Sequence, residues 1–481
     1  MRARSALLLA VPIAIALAIG TCKPNGGRAP SGYKVVVLGL DGANTAVISP
    51  LVSQGKMPNF AKYLAKAAGG HLDSPVAEGW ISASLWTTLV TGFPPPEHGI
   101  TGFTMPLPND PTKQVASASG HRRRPALWNI LSDAGVKSGI VGLWATWPAE
   151  KIDGAIVSDH VTYSRLRLSK TFKTQDGDEI PFSYDTRSRN VSPASLLYDV
   201  EKRVLLPADI DAPTLRRFAD FSDEEIGELK RDVKFGSFNV GTEPLPELKV
   251  SIQSDRSYAA IGQLVRERVD PSLLWVYLEG IDVMEHAFWS HRAGLDLVRE
   301  PERTRFKDVI DRYCAFTDEL ISPYLALADD ETIVIVVSDH GYASVPHEDT
   351  DEWKKRPHWH DNNAIFFAAG GPIRPGAQLN GSGKLEDVTP TILALLGLRV
   401  GADMPGRVLE EILTPEFARQ HPIRRGESYG KRALVPADIQ ESGAGSDLID
   451  RMRGVPGYIS DPNATPPASR PAHAPKQDAG K

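Results

Sequence analysis

Short, unbroken apolar runs alternate with amphipathic stretches over most of the chain. YKVVVLGLDG (33–42), KSGIVGLW (137–144), SLLWVYLEG (272–280) and TIVIVVSDHG (332–341) are rich in β-branched and aromatic residues. They read as strands buried on both faces. PNFAKYLAKAA (58–68), PALWNILSDAG (125–135), the long FKDVIDRYCAFTDELISPYLALA (306–328) and VTPTILALLGL (388–398) carry apolar residues at helical spacing. They read as helices, the second stopped by Gly135 and the last by Gly397. Strands alternating with helices predict an α/β fold around a largely parallel central sheet. Open sheets of this kind bind ligands at the carboxyl ends of their strands, which is where Asp41, Asp282 and Asp339 fall.

Three segments break the rhythm. Residues 160–255 are polar, charged and weakly periodic, and predict an insertion or cap between core segments 33–159 and 256–435. Residues 436–460 form a C-terminal extension, and the Pro/Ala-rich 461–481 predicts a disordered tail. At the other end, MRARSALLLAVPIAIALAIGTC sets Arg2 and Arg4 before an apolar run interrupted by Pro12. That is the order of a secretory signal over residues 1–21. Cys22 after AIGT resembles the lipidated cysteine of a bacterial lipoprotein signal, and the Gly- and Pro-rich residues 22–32 read as a tether. The expectation is an exported bacterial protein, periplasmic or anchored to the membrane through Cys22.

Composition narrows the chemistry. A formal net charge of −6 in 481 residues gives nothing for nucleic acid to recognise. With only two cysteines, Cys22 and Cys314, a thiolate metal site is excluded. Cys314 falls inside a predicted helix and reads as a small buried residue.

Acids and imidazoles gather at the strand ends. Asp41 ends the first apolar run. GIDVMEHAFW supplies Asp282 and, four residues on, His286; SDHG supplies Asp339 and His340; PHWHDNN supplies His358 and His360 before another apolar run. Carboxylate with imidazole and no thiolate suits Zn²⁺, Mn²⁺ or a similar divalent ion. Three Asp and three His are too many for one tetrahedral ion and suit two neighbouring ones completed by another oxygen.

The order LDGA, S-x-x-x-W-x-x-x-x-TG-x-x-P-x-x-HGI, D-x-x-x-H, SDHG and a late His resembles the alkaline phosphatase superfamily. The branch it is most similar to is the type I phosphodiesterase/nucleotide pyrophosphatase-like phosphohydrolases, over residues 33–160 and 255–410. The resemblance implies an alkaline phosphatase-like three-layer fold and a phosphoric ester hydrolase acting on a small phosphate ester through a phosphoserine. It makes Ser82, nine residues before Thr91, the nucleophile, with Ser84 as the rival. It implies one metal on Asp282, His286 and His360, and another on Asp41, Asp339, His340 and Ser82. His360 is preferred to His358 because it stands four residues before Ala364, where the family usually has Gly.

The resemblance departs at Phe103, twenty-one residues after Ser82, where nucleotide pyrophosphatases usually carry an Asn that holds a phosphate oxygen. That speaks against nucleotide substrates and leaves the backbone N–H after Ser82 as a donor. SASLW lacks the Pro and Arg of a sulfatase formylglycine motif. A phosphomutase, and a non-catalytic lipoprotein that kept the fold, are the remaining alternatives. The second is disfavoured because every ligand position carries a ligand. HRRRP (121–125) reads as a solvated basic loop, with binding of an anion as the alternative. Trp80 and Trp86 flank Ser82 and read either as core or as a stacking surface for a leaving group. His98 reads as structural.

Overall fold

The computed structural model describes residues 25–108, 110–162, 172–173, 179–180, 189–230, 244–293, 298–346, 357–436 and 439. Residues 1–21, expected to be a secretory signal, Cys22, nearly all of 436–460 and the expected tail 461–481 lie outside them.

A nine-stranded sheet organises the chain. Its strands are β1 (Lys34–Leu40), β2 (Ala68–Asp73), β3 (Ser138–Val141), β4 (Gly154–Val157), β5 (Val191–Ser192), β6 (Leu273–Leu278) and β7 (Thr332–Val337). After the ribbon strands β8 (Gly341–Ser344) and β9 (His358–Asp361) come β10 (Asn363–Ala369) and β11 (Gly383–Lys384). The order across the sheet is β11-β2-β10-β7-β1-β6-β3-β4-β5. The five strands from β7 to β4 run parallel, and β10 and β5 run against them.

Alternate residues of the central strands feed two cores. Val35 and Val37 of β1, Trp275 and Tyr277 of β6 and Ile333 and Ile335 of β7 face one side, against helices α3 (Ser82–Thr91), α4 (Leu127–Asp133) and α8 (Val388–Leu395). Val36, Leu38 and Leu40, Leu274, Val276 and Leu278, and Val334 and Val336 face the other. There they meet α1 (Thr45–Ser53), α2 (Pro58–Leu64), α5 (Pro244–Val269), α6 (Gly280–Ala293) and α7 (Val309–Leu325). Both faces of each strand are buried, which is why these strands read as unbroken apolar runs. The predicted α/β fold with a largely parallel sheet in three layers is the fold observed.

Boundaries moved where local chemistry intervened. The helix expected over 58–68 ends at Leu64, and Ala68 already opens β2, whose AGGHLD carries no β-branched residue. The helix expected over 306–328 breaks at Lys307 and Asp308 and restarts as α7 at Val309. Within 160–255, Val200, Ile210, Leu215, Phe218 and Phe221 join the same core as α5 and α7. Helix α5 runs straight through residue 255. Cys314 is buried in α7, as its spacing implied. Among the described residues, no helix is long and apolar enough to cross a membrane.

Candidate metal centre

Asp41 follows β1 directly, and four side chains meet its carboxylate. Oδ2 accepts from the Trp86 indole N–H at 3.0 Å and from the Tyr277 hydroxyl; Oδ1 lies 3.4 Å from Ser82 Oγ and 3.2 Å from His340 Nε2. Trp86 reaches this far because of Gly39, where a Cβ would stand 2.8 Å from the indole ring. Gly42 plays the same part on the other side. Its φ of 72° favours glycine, and a Cβ there would meet Glu285 at 2.9 Å and Asp282 at 3.0 Å. The missing side chains let α3 and α6 close on the end of β1.

Ser82 is the first residue of α3, with Ile81 extended as the N-cap. It is buried beside Asp41 and His340, and the N–H of Ala83 belongs to the first turn, which no helix carbonyl reaches. Ser84 is spent elsewhere. Its Oγ donates to the Ile81 carbonyl at 2.7 Å and accepts from the Ile81 N–H at 3.2 Å, closing the helix end.

Asp339 and His340 follow β7. His340 Nδ1 lies 3.0 Å from the Gly341 carbonyl, so that nitrogen carries the proton and Nε2 faces the acids. Neither oxygen of the fully buried Asp339 has a hydrogen-bond partner. Burial, and then the charge of Asp41, push its carboxyl well above the usual range. Burial opposes charge on His340, but Asp339, Asp41 and Asp282 together hold its imidazole well above its usual value. Asp41 moves the other way, since His340 and Tyr277 outweigh burial and lower it.

Asp282 and His286 stand one turn apart at the start of α6, with Nε2 of His286 3.4 Å from Asp282 Oδ1. Burial pushes the His286 imidazole down to about 3 despite Asp282, leaving it neutral. His360 arrives on β9. Its Nε2 lies 3.3 Å from Asp282 Oδ1 and 2.9 Å from His286 Nε2, and its ring stacks on His340 at 3.6 Å between centroids. His358 stays outside this cluster and meets Tyr342 instead.

The spacings suit metal ions. Ligand atoms about 2.0–2.1 Å from a tetrahedral ion stand about 3.3–3.4 Å apart. The Asp282–His286–His360 separations of 3.4, 3.3 and 2.9 Å fit one such face. Ser82, Asp41 and His340, at 3.4, 3.2 and 3.2 Å, fit another, with Asp339 Oδ2 3.5 Å from His340 Nε2. Asp41, Asp339 and His340 form one group with ligand atoms within 4.8 Å of one another, and Asp282, His340 and His360 form a second. His340 thus borders both positions. The orphaned oxygens of Asp339 and the density of buried carboxylate are what a divalent ion would satisfy.

All seven residues singled out from the sequence meet here. Trp86 and Tyr277 were missed as orienting groups; a hydroxyl on an otherwise apolar buried strand is the signal Tyr277 carried. Trp86 is fully buried, whereas Trp80 is half-buried with its indole N–H on Glu78 at 3.1 Å. His98 is structural as read. Its Nδ1 accepts from Ile100 N–H at 3.2 Å, its Nε2 pairs with Thr88 Oγ1 at 3.1 Å, and burial holds it at about 3.

The basic loop corrects its reading. Arg122 is buried on Glu150, and Arg124 binds Glu97 and Asp403, the latter at 2.7 Å; only Arg123 is exposed. Two of the three arginines are therefore neither solvated nor open to an anion. Burial resists charge on Glu150, but Arg122 and Arg432 outweigh it and bring its carboxyl to about 2.

A largely parallel sheet covered on both faces, with carboxylates, imidazoles and a helix-terminal serine converging at its carboxyl ends, makes a candidate centre for divalent metal ions. The family model of type I phosphodiesterase/nucleotide pyrophosphatase matches residues 35–393, well over half of the chain, and the chain belongs to that family. It is a phosphoric ester hydrolase. Among solved structures, it is similar to murine ectonucleotide pyrophosphatase/phosphodiesterase 5, at 14% identity and TM-score 0.39, over 76% of this chain and 95% of that one. The human form of the same protein gives 12% and 0.39, over 79% and 99%. The wild-type alkaline phosphatase PafA gives 11% and 0.48, over 79% and 99%. No curated protein matches the chain.

Proposed function

We propose that this chain is an exported hydrolase of small phosphate esters that works through a phosphoserine on Ser82 beside two divalent ions, Zn²⁺ or Mn²⁺. The observation that carries the reading is the position of Ser82 Oγ, 3.4 Å from Asp41 and 3.2 Å from His340, at the start of a helix. Asp282, His286 and His360 would hold one ion, and Asp41, Asp339, His340 and Ser82 the other. When bound, the ions supply positive charge that stabilises the serine alkoxide, the departing oxygen and the non-bridging phosphoryl oxygens.

The residues divide the remaining work. Ser82 Oγ forms a bond to phosphorus as the bond to the leaving oxygen breaks, and the serine proton passes to solvent. Water then cleaves the Ser82 ester, restoring the hydroxyl and releasing phosphate or a phosphate monoester. The α3 dipole and the Ala83 N–H favour the phosphoryl group there. Trp86 and Tyr277 keep Asp41 turned toward the serine. Phe103 is buried against Trp144, with 4.8 Å between ring centroids, and offers no hydrogen bond to a phosphate oxygen, which favours esters other than nucleotides.

The test is turnover of p-nitrophenyl phosphate, bis-p-nitrophenyl phosphate, a phosphonate monoester and a sulfate by chelated protein reloaded with defined metals. Hydrolysis of a phosphate or phosphonate ester that requires Zn²⁺ or Mn²⁺ is expected. Activity confined to the sulfate, or indifferent to metal, would contradict the reading.

A further inference from the structure

We infer that Tyr342 and His358 form a hydrogen-bonded relay that sets the tautomer and direction of His286, and so tunes one metal position independently of the other. Tyr342 lies on β8 and pairs directly with His360 across the ribbon, while His358 lies two residues before His360 on β9. Side chains alternate along a strand, so Tyr342, His358 and His360 share one face. The Tyr342 hydroxyl lies 3.1 Å from His286 Nδ1 and 2.8 Å from His358 Nδ1. Its ring stands edge-on to the His286 ring at 5.0 Å and is itself buried, so the hydroxyl is held between the two imidazoles.

Counting protons fixes the direction of both bonds. His286 points Nε2 at Asp282 and His360, and a ligating nitrogen carries no proton. The single proton of its neutral ring is therefore on Nδ1, which donates to Tyr342 Oη. Tyr342 has one O–H hydrogen, and with its oxygen already accepting, that hydrogen goes to His358 Nδ1. His358 then keeps its proton on Nε2, and its half-buried ring ends the relay.

The other metal position is built differently. His340 Nδ1 meets the carbonyl of the neighbouring Gly341, a backbone group that no side-chain change removes. One imidazole is thus fixed by the main chain and the other by two replaceable side chains. A partner of this kind orients a ligand and raises its basicity, and its loss costs roughly ten- to hundredfold in metal affinity.

The relay rests on the two-ion reading above, and the test separates them. Chelated protein is titrated with Zn²⁺ against a competing indicator, and the melting of the metal-free protein is followed in parallel. Wild type is expected to bind two ions. Tyr342→Phe should weaken one of them by roughly ten- to hundredfold and leave the other unchanged, with the metal-free melting little altered. His358→Ala should act on the same ion in the same direction, and His358→Asn, whose amide oxygen can accept where Nδ1 did, should restore it. Two ions bound by Tyr342→Phe with wild-type affinities, or both weakened equally, would overturn the relay alone. A wild type that binds no ion would overturn the relay and the two-ion reading together.

Discussion

Three of the candidate ligands, Asp41, His286 and His340, are aimed by a group that is not itself a candidate ligand. Asp41 is held by Trp86 and Tyr277, whose donors occupy Oδ2 and leave Oδ1 toward Ser82. Removing the Tyr277 hydroxyl while keeping its ring frees that carboxylate to rotate. Tyr277→Phe should therefore weaken the ion held by Asp41 by roughly tenfold, read in a Zn²⁺ competition titration. Unchanged affinity would show that Trp86 alone positions Asp41. Ser84 makes the contrasting case, since its hydroxyl serves only the N-terminus of α3. Ser84→Ala should cost about 1 kcal/mol of stability by denaturant unfolding and leave turnover near wild type. Loss of turnover with the fold intact would give Ser84 a part in the chemistry.

Elements carry these residues into register, and they differ in how plainly the sequence announces them. The central strands were legible because both faces are buried, and the candidate ligands were legible because acids and imidazoles stand just after β1, β6 and β7 and just before β10. β2 was not, since AGGHLD packs through glycines and carries no strand signature. Arg122 and Arg124 were misread because three successive arginines resemble a solvated loop, while their partners Glu150 and Asp403 are distant in sequence. Tyr342 gave no sign, because the pairing that sets it opposite His360 exists only once β8 and β9 meet. The turn Pro95–His98 is tied to α3 through His98 and Thr88, and burial keeps His98 neutral with a value of about 3. Unfolded, the same imidazole titrates near ~6.5, so below that pH the unfolded chain binds a proton that the folded one does not. The stability His98 contributes is present above about pH 6.5 and is lost as pH falls toward 3, by about 1.4 kcal/mol per unit. His98→Gln, which does not titrate, should be less stable than wild type at pH 7.5, with the gap narrowing steadily down to pH 4. A pH-independent gap would mean that His98 takes up its proton in the fold as readily as in the unfolded chain.

At the scale of the whole molecule, the fold collects candidate ligands from four distant stretches of chain, at Asp41, Asp282, the Asp339–His340 pair and His360, and α3 adds Ser82. The C-terminal part of the core is pinned to the first half by Arg432, which bonds Asn129 at 3.0 Å and Glu150 at 2.6 Å. Export is a proposal at this scale, resting on the charge and apolar order of residues 1–21 and on Cys22. In a bacterial host the full chain should fractionate with membranes, and Cys22→Ala should release it or block its processing. A wild-type protein wholly in the soluble periplasmic fraction, with an N-terminus other than Cys22, would contradict the lipid anchor.

The central claim is that Ser82 carries the phosphoryl group during turnover, and acid-quenched turnover followed by phosphopeptide mapping tests it most directly. Ser84 lies two positions further along α3, which turns its side chain some 200° around the axis, so the two serines give separable answers. Phosphate recovered on Ser82, absent from Ser82→Ala, with kcat in that variant lowered by several orders of magnitude, is the predicted result. Phosphate on Ser84, or full activity in Ser82→Ala, would contradict it.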